Sequence, residues 1–173
     1  MEKFLNIPVF NLIMNGTSVT PVGSADLTDT GDVFANVSVG DIVHQSTDNE
    51  YFLVASKIDN NNLTLTALDG GTAPIVSGKA FFIHSGTVSN SQLVSGSGVL
   101  LVEQASTSTV TITYEGAAAA DVVTLTHTPV ASGSEAVRDL IEESIVKGYS
   151  SSWTDVSHDV STLPNKVIGI SIG

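Results

Sequence analysis

Apolar residues recur at helical spacing in one stretch of this chain. Across residues 131–153, ASGSEAVRDLIEESIVKGYSSSW, the positions Val137, Leu140, Ile141, Ser144, Ile145 and Gly148 form an apolar-to-small stripe. Arg138, Asp139, Glu142, Glu143 and Lys147 fall on the opposite face, with Glu143 and Lys147 in a favourable i,i+4 order. Ser132 and Glu135 stand at S-x-x-E spacing, which predicts a reciprocal cap of two free N–H groups at the helix start. Gly148 is the expected C-terminal cap, because glycine turns left-handed without a Cβ clash. A one-sided helix must cover something, and the remaining segments read as strands.

Elsewhere the period is two. Residues 3–10 predict a short strand, which Pro8 pushes toward a sheet edge because proline cannot donate to a ladder. Asn15-Gly16 predicts a turn, and residues 17–39 read as irregular and acidic. Strands follow at residues 40–45, 51–58 (YFLVASKI) and 63–68 (LTLTAL), joined by turns at 46–49 and 59–62. Asp69-Gly70-Gly71 is a further turn, and KAFFIH at residues 79–84 is a strand. Closely spaced short strands of this kind predict a small β-barrel or meander.

SGTVSNS, at residues 85–91, has no periodic pattern and reads as a linker. Beyond it the strands are longer and rich in Thr. Residues 92–104 predict one strand bulged at Gly96-Ser97-Gly98. Residues 109–115 and 121–127 predict an antiparallel pair across a turn at 115–120. After the helix, residues 152–160 and 166–172 predict two more strands, separated by a turn at Pro164-Asn165. The two chain ends, FLNIPV and VIGISI, are similar short strands whose economical partner is the same sheet. The expected fold is therefore mainly β with one helix. A discontinuous α+β sheet-plus-helix domain (residues 1–11 and 89–173) carries an inserted small β-barrel (residues 12–88).

Composition narrows the functional classes. Only 14% of residues are charged, and the formal net charge is −12. Six Lys and Arg, spread singly, cannot neutralise a run of phosphates, so neither nucleic acid nor an anionic membrane is an expected partner. The absence of Cys excludes disulfides and thiolate metal sites, which suits a reducing compartment. No stretch approaches the roughly 18 consecutive apolar residues of a membrane span. Asn6, Pro8 and Asn11 interrupt the apolar start, so a soluble protein made without a signal peptide is expected.

The search for chemistry assigns no catalytic, cofactor-binding or metal residue. His44, His84, His127 and His158 have no metal-ligand spacing and read as isolated polar positions on strands. Asp26, Asp29 and Asp32, with Asp41 nearby, do not match a calcium loop and read as acidic surface. Glu142 and Glu143 are adjacent on a helix and read as a solvated face. Gly96-Ser97-Gly98 lacks the context of a nucleophile elbow. Trp153, Tyr149 and Tyr51 could stack on sugars, but Trp153 between a helix and a strand reads as a core plug.

Residues 39–83 combine VGDIV, the strand VASKID, the alternation LTLTAL and the closing SGKAFFI. This pattern is similar to a recurrent β module in structural proteins of tailed phages, especially marine ones. FLNIPV, QLVSGSGVLLVEQASTSTVTITY and the closing helix and strands resemble small virion proteins of the same viruses. The resemblance implies a virion structural role and transfers no catalytic residue. Its implied function is a capsid decoration (cement) protein, docked by the larger domain on the outside of the major capsid lattice and bridging subunits non-covalently. The implied partners are the major capsid protein and further copies of the chain, as a homotrimer at local three-fold positions. The alternative is a tail, neck or head-fibre part, or an adhesin for a receptor or glycan; an enzyme is not expected.

Overall fold

A computed structural model describes residues 2–18, 26–45, 50–68, 78–115, 121–160, 163 and 165–173. The turns expected at 46–49, 69–71 and 116–120, and Pro164, lie outside the described residues. The chain is mainly β with a single helix, and it divides into two compact units: Met1–Val9 with Val88–Gly173, and Phe10–Thr87. The strands in chain order are β1 (Phe4–Val9), β2 (Leu12–Thr17), β3 (Asp26–Thr28), β4 (Ile42–Gln45), β5 (Glu50–Lys57), β6 (Asn62–Ala67) and β7 (Ala80–His84). They continue as β8 (Asn90–Ser95), β9 (Val99–Ser106), β10 (Thr109–Tyr114), β11 (Val122–His127), the helix α1 (Ala136–Ser150), β12 (Ser157–Asp159) and β13 (Val167–Ile172).

In the first unit β1 lies inside a seven-stranded sheet, not at the edge that Pro8 suggested. It pairs with β8 along its whole length on one flank. On the other flank β12 pairs with Phe4–Asn6 and β13 with Val9. The backbones of Phe4 and Asn6 bond toward the β12 flank, so Pro8 faces that flank too, in the gap between β12 and β13. The missing proline N–H therefore removes no ladder bond. From β13 the sheet runs on through β11 and β10 to β9.

One face of this sheet is the core. Val102, Ile112 and Val123 are successive cross-strand neighbours on it, as are Gln104, Val110, Leu125 and Ile170, and the first row ends at the exposed Ile172. Val137 and Ile141 of α1 are fully buried in the same cluster, with Leu140 and Ile145 partly buried beside them. The helix is thus the lid that its stripe requires.

Its ends differ from the expected caps. Ala131–Ser134 forms a turn closed by Ser134 N donating to the Ala131 carbonyl, with Gly133 at φ +77°, so Ser132 stands too early to cap. Glu135 is the N-cap residue and its side chain makes no capping bond. Instead the N–H of Arg138 donates to Gln104 Oε1 from β9, a cap supplied by the sheet (3.4 Å). Gly148 is inside the helix and buried, where a Cβ would come within 3.6 Å of the His158 Cβ. At the true end, Ser151 Oγ donates to the Gly148 carbonyl. Lys3 Nζ, on the chain's first segment, reaches Ser151 Oγ and the carbonyls of Ser152 and Asp155.

The single bulged strand expected over residues 92–104 is two strands. Gly96 N donates to the Lys3 carbonyl and ends the β8–β1 ladder, while Glu115 N donates to the Gly98 carbonyl and begins β9–β10. Gly98, at φ +73°, turns the chain between them.

The second unit is an antiparallel sheet in the order β2-β7-β4-β5-β6-β3 around Leu27, Phe34, Val43, Phe52, Leu63 and Phe81. Asn15-Gly16 is not a turn but part of β2, opposite Phe82 and Phe81. Glycine is needed there for packing: a Cβ on Gly16 would fall 2.7 Å from the Phe81 ring. Asp41 pins the start of β4, its carboxylate accepting from Ser38 N (2.7 Å) and Gly86 N (2.6 Å). Lys57 Nζ donates to the carbonyls of Phe34, Ala35 and Val37 and holds the preceding loop. The short β3 falls in the stretch expected to be irregular, paired to β6 through Leu27 and Leu63.

Candidate docking surfaces

The strands place most titratable candidates in structural roles. Asp26 accepts from Thr64 Oγ1, Asp29 from Thr30 N, and Asp41 holds the clamp just described. Asp32 has φ +58° and donates its N–H to Asn61 Oδ1. The four carboxylates therefore do not converge, and among the described residues no group of three His, Asp or Glu side chains could hold a metal ion. Ser97 Oγ accepts from Lys3 N, which makes it part of the β1–β8 junction.

The histidines are mostly interior. His44 stacks on Tyr51 with ring centroids 4.3 Å apart, and the register Ile42↔His84 with His44↔Phe82 brings His44 and His84 to one face of the sheet. That juxtaposition had no signal in sequence, since 40 positions separate the two residues. His127 is fully buried, bonding Thr128 O through Nδ1 (2.7 Å) and Gln104 Nε2 through its own Nε2 (2.8 Å). With Nδ1–H donating to the carbonyl, Nε2 is the acceptor and the ring is neutral.

Burial lowers the pKa of both His84 and His127, against smaller raising contributions from backbone bonds to Phe10 and Thr128; the His44 charge lowers His84 further. A histidine depressed in the fold binds its proton more readily in the unfolded chain. Its stabilising contribution is complete above the unfolded value near 6.5 and is lost as pH falls through the folded values. The melting temperature should therefore fall between pH 7.5 and pH 5.5, and His127→Gln should flatten part of that dependence. A melting temperature constant across this range would contradict the buried neutral rings.

The first unit carries two apolar concavities. One, about 310 Å³, is lined by Leu93, Val94, Tyr114, Val123, Ile170 and Ile172. Tyr114 there donates its hydroxyl to the Ser95 carbonyl (2.7 Å), and burial pushes its pKa up to about 12, so the phenol is no acid–base group near neutrality. The other is a groove of about 410 Å³ between the start of β9 and α1, with Glu142 among its lining residues. Leu100 (64% exposed), Leu101 (54%), Val146 (64%) and Tyr149 (51%) line it. The helix thus carries two stripes. Val137, Ile141, Ser144 and Gly148 face the core, while Glu142, Ile145, Val146 and Tyr149 face the groove. Periodicity pointed to the first stripe and missed the second, because Glu142 breaks its apolar pattern.

Trp153, the single tryptophan, is 74% exposed rather than a core plug. It lies in the turn that Asp155 N closes on the Ser152 carbonyl, and β12 begins only at Ser157. Lys3 and Lys57 donate to carbonyls, Arg138 pairs with Glu135 and Asp139, and Lys147 pairs with Glu143 (2.8 Å). With 18 Asp and Glu against six Lys and Arg, the chain stays strongly acidic. No helix among the described residues is long and apolar enough to cross a membrane. The chain matches no protein-family model, no curated protein and no solved structure.

Proposed function

We propose that the chain is a virion structural protein of a tailed phage, a decoration protein that binds the outer surface of the major capsid lattice and cements neighbouring subunits. The observation that carries this reading is an exposed apolar groove beside the outer edge of β9, which among the described residues pairs with β10 alone. The strand-and-turn resemblance to phage virion modules supplies the context. Contiguous exposed apolar surface on a chain with few charges marks an interaction site. Many weak copies of such a contact on one shell act together against internal pressure. A homotrimer at local three-fold axes is the assembly that suits a shell of cyclic symmetry, and a −12 chain keeps its exterior from sticking to packaged nucleic acid.

The test is to strip the protein from particles, add it back, and follow the temperature at which DNA is released. Stripped particles should release DNA at a lower temperature and recover on addition; equal release temperatures would refute cementing. Copy number separates decoration, at hundreds per particle, from a tail or neck part at about a dozen or fewer.

A further inference from the structure

We propose that the groove between β9 and α1 receives an extended segment of a partner chain, apolar at alternate positions and basic at its ends, which adds as a strand to the outer edge of β9. The groove's geometry favours a strand over other occupants. Val99, Leu100, Leu101 and Val102 are consecutive, and consecutive residues of a strand point to opposite faces. A cavity lined by all four therefore runs along the strand's edge. Among the described residues β9 pairs with β10 alone, so that edge presents backbone donors and acceptors to the groove. A partner strand satisfies them, while its alternate side chains meet Leu101 on one side and the Val146–Tyr149 ridge on the other.

Charge selects the partner. Glu142 lines the groove and Glu103 is exposed on β9 just beyond it. The cations of α1, Arg138 and Lys147, are paired with Glu135, Asp139 and Glu143, and Lys3, beside Gly96, is held on Ser151, Ser152 and Asp155, so Glu142 and Glu103 set the sign of the rim. A second copy docking edge to edge through β9 would set the same acidic rim against itself, a repulsive arrangement. A segment flanked by Lys or Arg meets a complementary rim. The inference rests on the virion reading only for the source of the segment, which is then a surface-exposed arm or loop of the capsid subunit.

Two measurements separate the inference from that reading. The first titrates the full-length protein with the synthetic peptide Lys-Val-Thr-Val-Thr-Val-Lys and follows backbone amide shifts. Shifts should concentrate at residues 99–103 and 142–149, and should weaken about tenfold in Leu101→Lys and Val146→Lys, or when the peptide lysines become glutamates. No shift on β9 at millimolar peptide, or shifts centred on Leu93 and β8, overturns the proposal. So does concentration-dependent broadening on β9 without peptide, which would identify a second copy as the occupant. The second measures binding to stripped particles. If the wild-type chain binds and Leu101→Lys binds equally well, the groove assignment fails while the decoration reading stands. If the wild-type chain does not bind although the peptide still docks on β9, the decoration reading fails and the groove stands.

Discussion

Ile141→Asp should abolish the folded state of the sheet-plus-helix unit. Ile141 is fully buried between α1 and the core face, in one cluster with Leu5, Val102, Val110 and Leu125. Removing an isoleucine of this kind costs about 2–5 kcal/mol through lost transfer energy and the cavity left behind. The carboxylate adds a further cost, because it would be buried among apolar side chains while the helix's own cations, Arg138 and Lys147, engage carboxylates on its outer side. Together these terms reach the whole stability of a typical domain, roughly 5–15 kcal/mol. Circular dichroism and amide spectra should show loss of the helix and of the β9–β11 resonances. Glu143→Gln is the matched control. It breaks only the exposed pair with Lys147, and exposed pairs of this kind contribute about 0.5 kcal/mol. A folded, monodisperse Ile141→Asp protein would show that the helix is not the lid of this sheet.

The helix and the alternating strands were legible because each is written in local periodicity. Val110, Ile112 and Tyr114 against Thr109, Thr111 and Thr113 give β10 directly, and its pairing with β11 follows from proximity along the chain. What was not legible depends on partners distant in sequence. Gln104 replaces the expected capping box from 34 positions away. Pro8 sits in an interior strand because β12 and β13 happen to leave a gap opposite it. Gly16 reads as a turn residue until the Phe81 ring is seen lying over it. Trp153 reads as core from its place between a helix and a strand, yet the Ser152–Asp155 turn holds it in solvent. The same limit applies to the groove: Leu100 and Leu101 are apolar positions in a strand pattern, and only the sheet order shows that β9 is an edge.

Gly86→Ala should be among the most damaging changes in the second unit, although Gly86 lies in a segment that reads as a featureless linker. A Cβ there would stand 2.3 Å from the Gly40 carbonyl oxygen and 2.6 Å from its carbon. Both contacts are with backbone, so no rotamer change relieves them. Gly40 cannot retreat freely, because its N–H donates to the Val54 carbonyl and Val54 N donates back to the Asp41 carbonyl (2.9 Å each). The two segments must separate, and the bond from Gly86 N to the buried Asp41 carboxylate is lost with them. Overpacking of this kind costs about 1–3 kcal/mol, and a hydrogen bond to a charged group about 1.5–3 kcal/mol, so a loss of about 3–5 kcal/mol is expected. Asp41→Ala breaks the same clamp from its other side and also frees Ser38 N. The double variant should therefore lose less than the sum of the two single changes, since both remove one shared contact. Urea midpoints of the four proteins decide it: strict additivity would mean that Gly86 and Asp41 act independently, and an unchanged Gly86→Ala midpoint would mean that the close approach to Gly40 does not exist in solution.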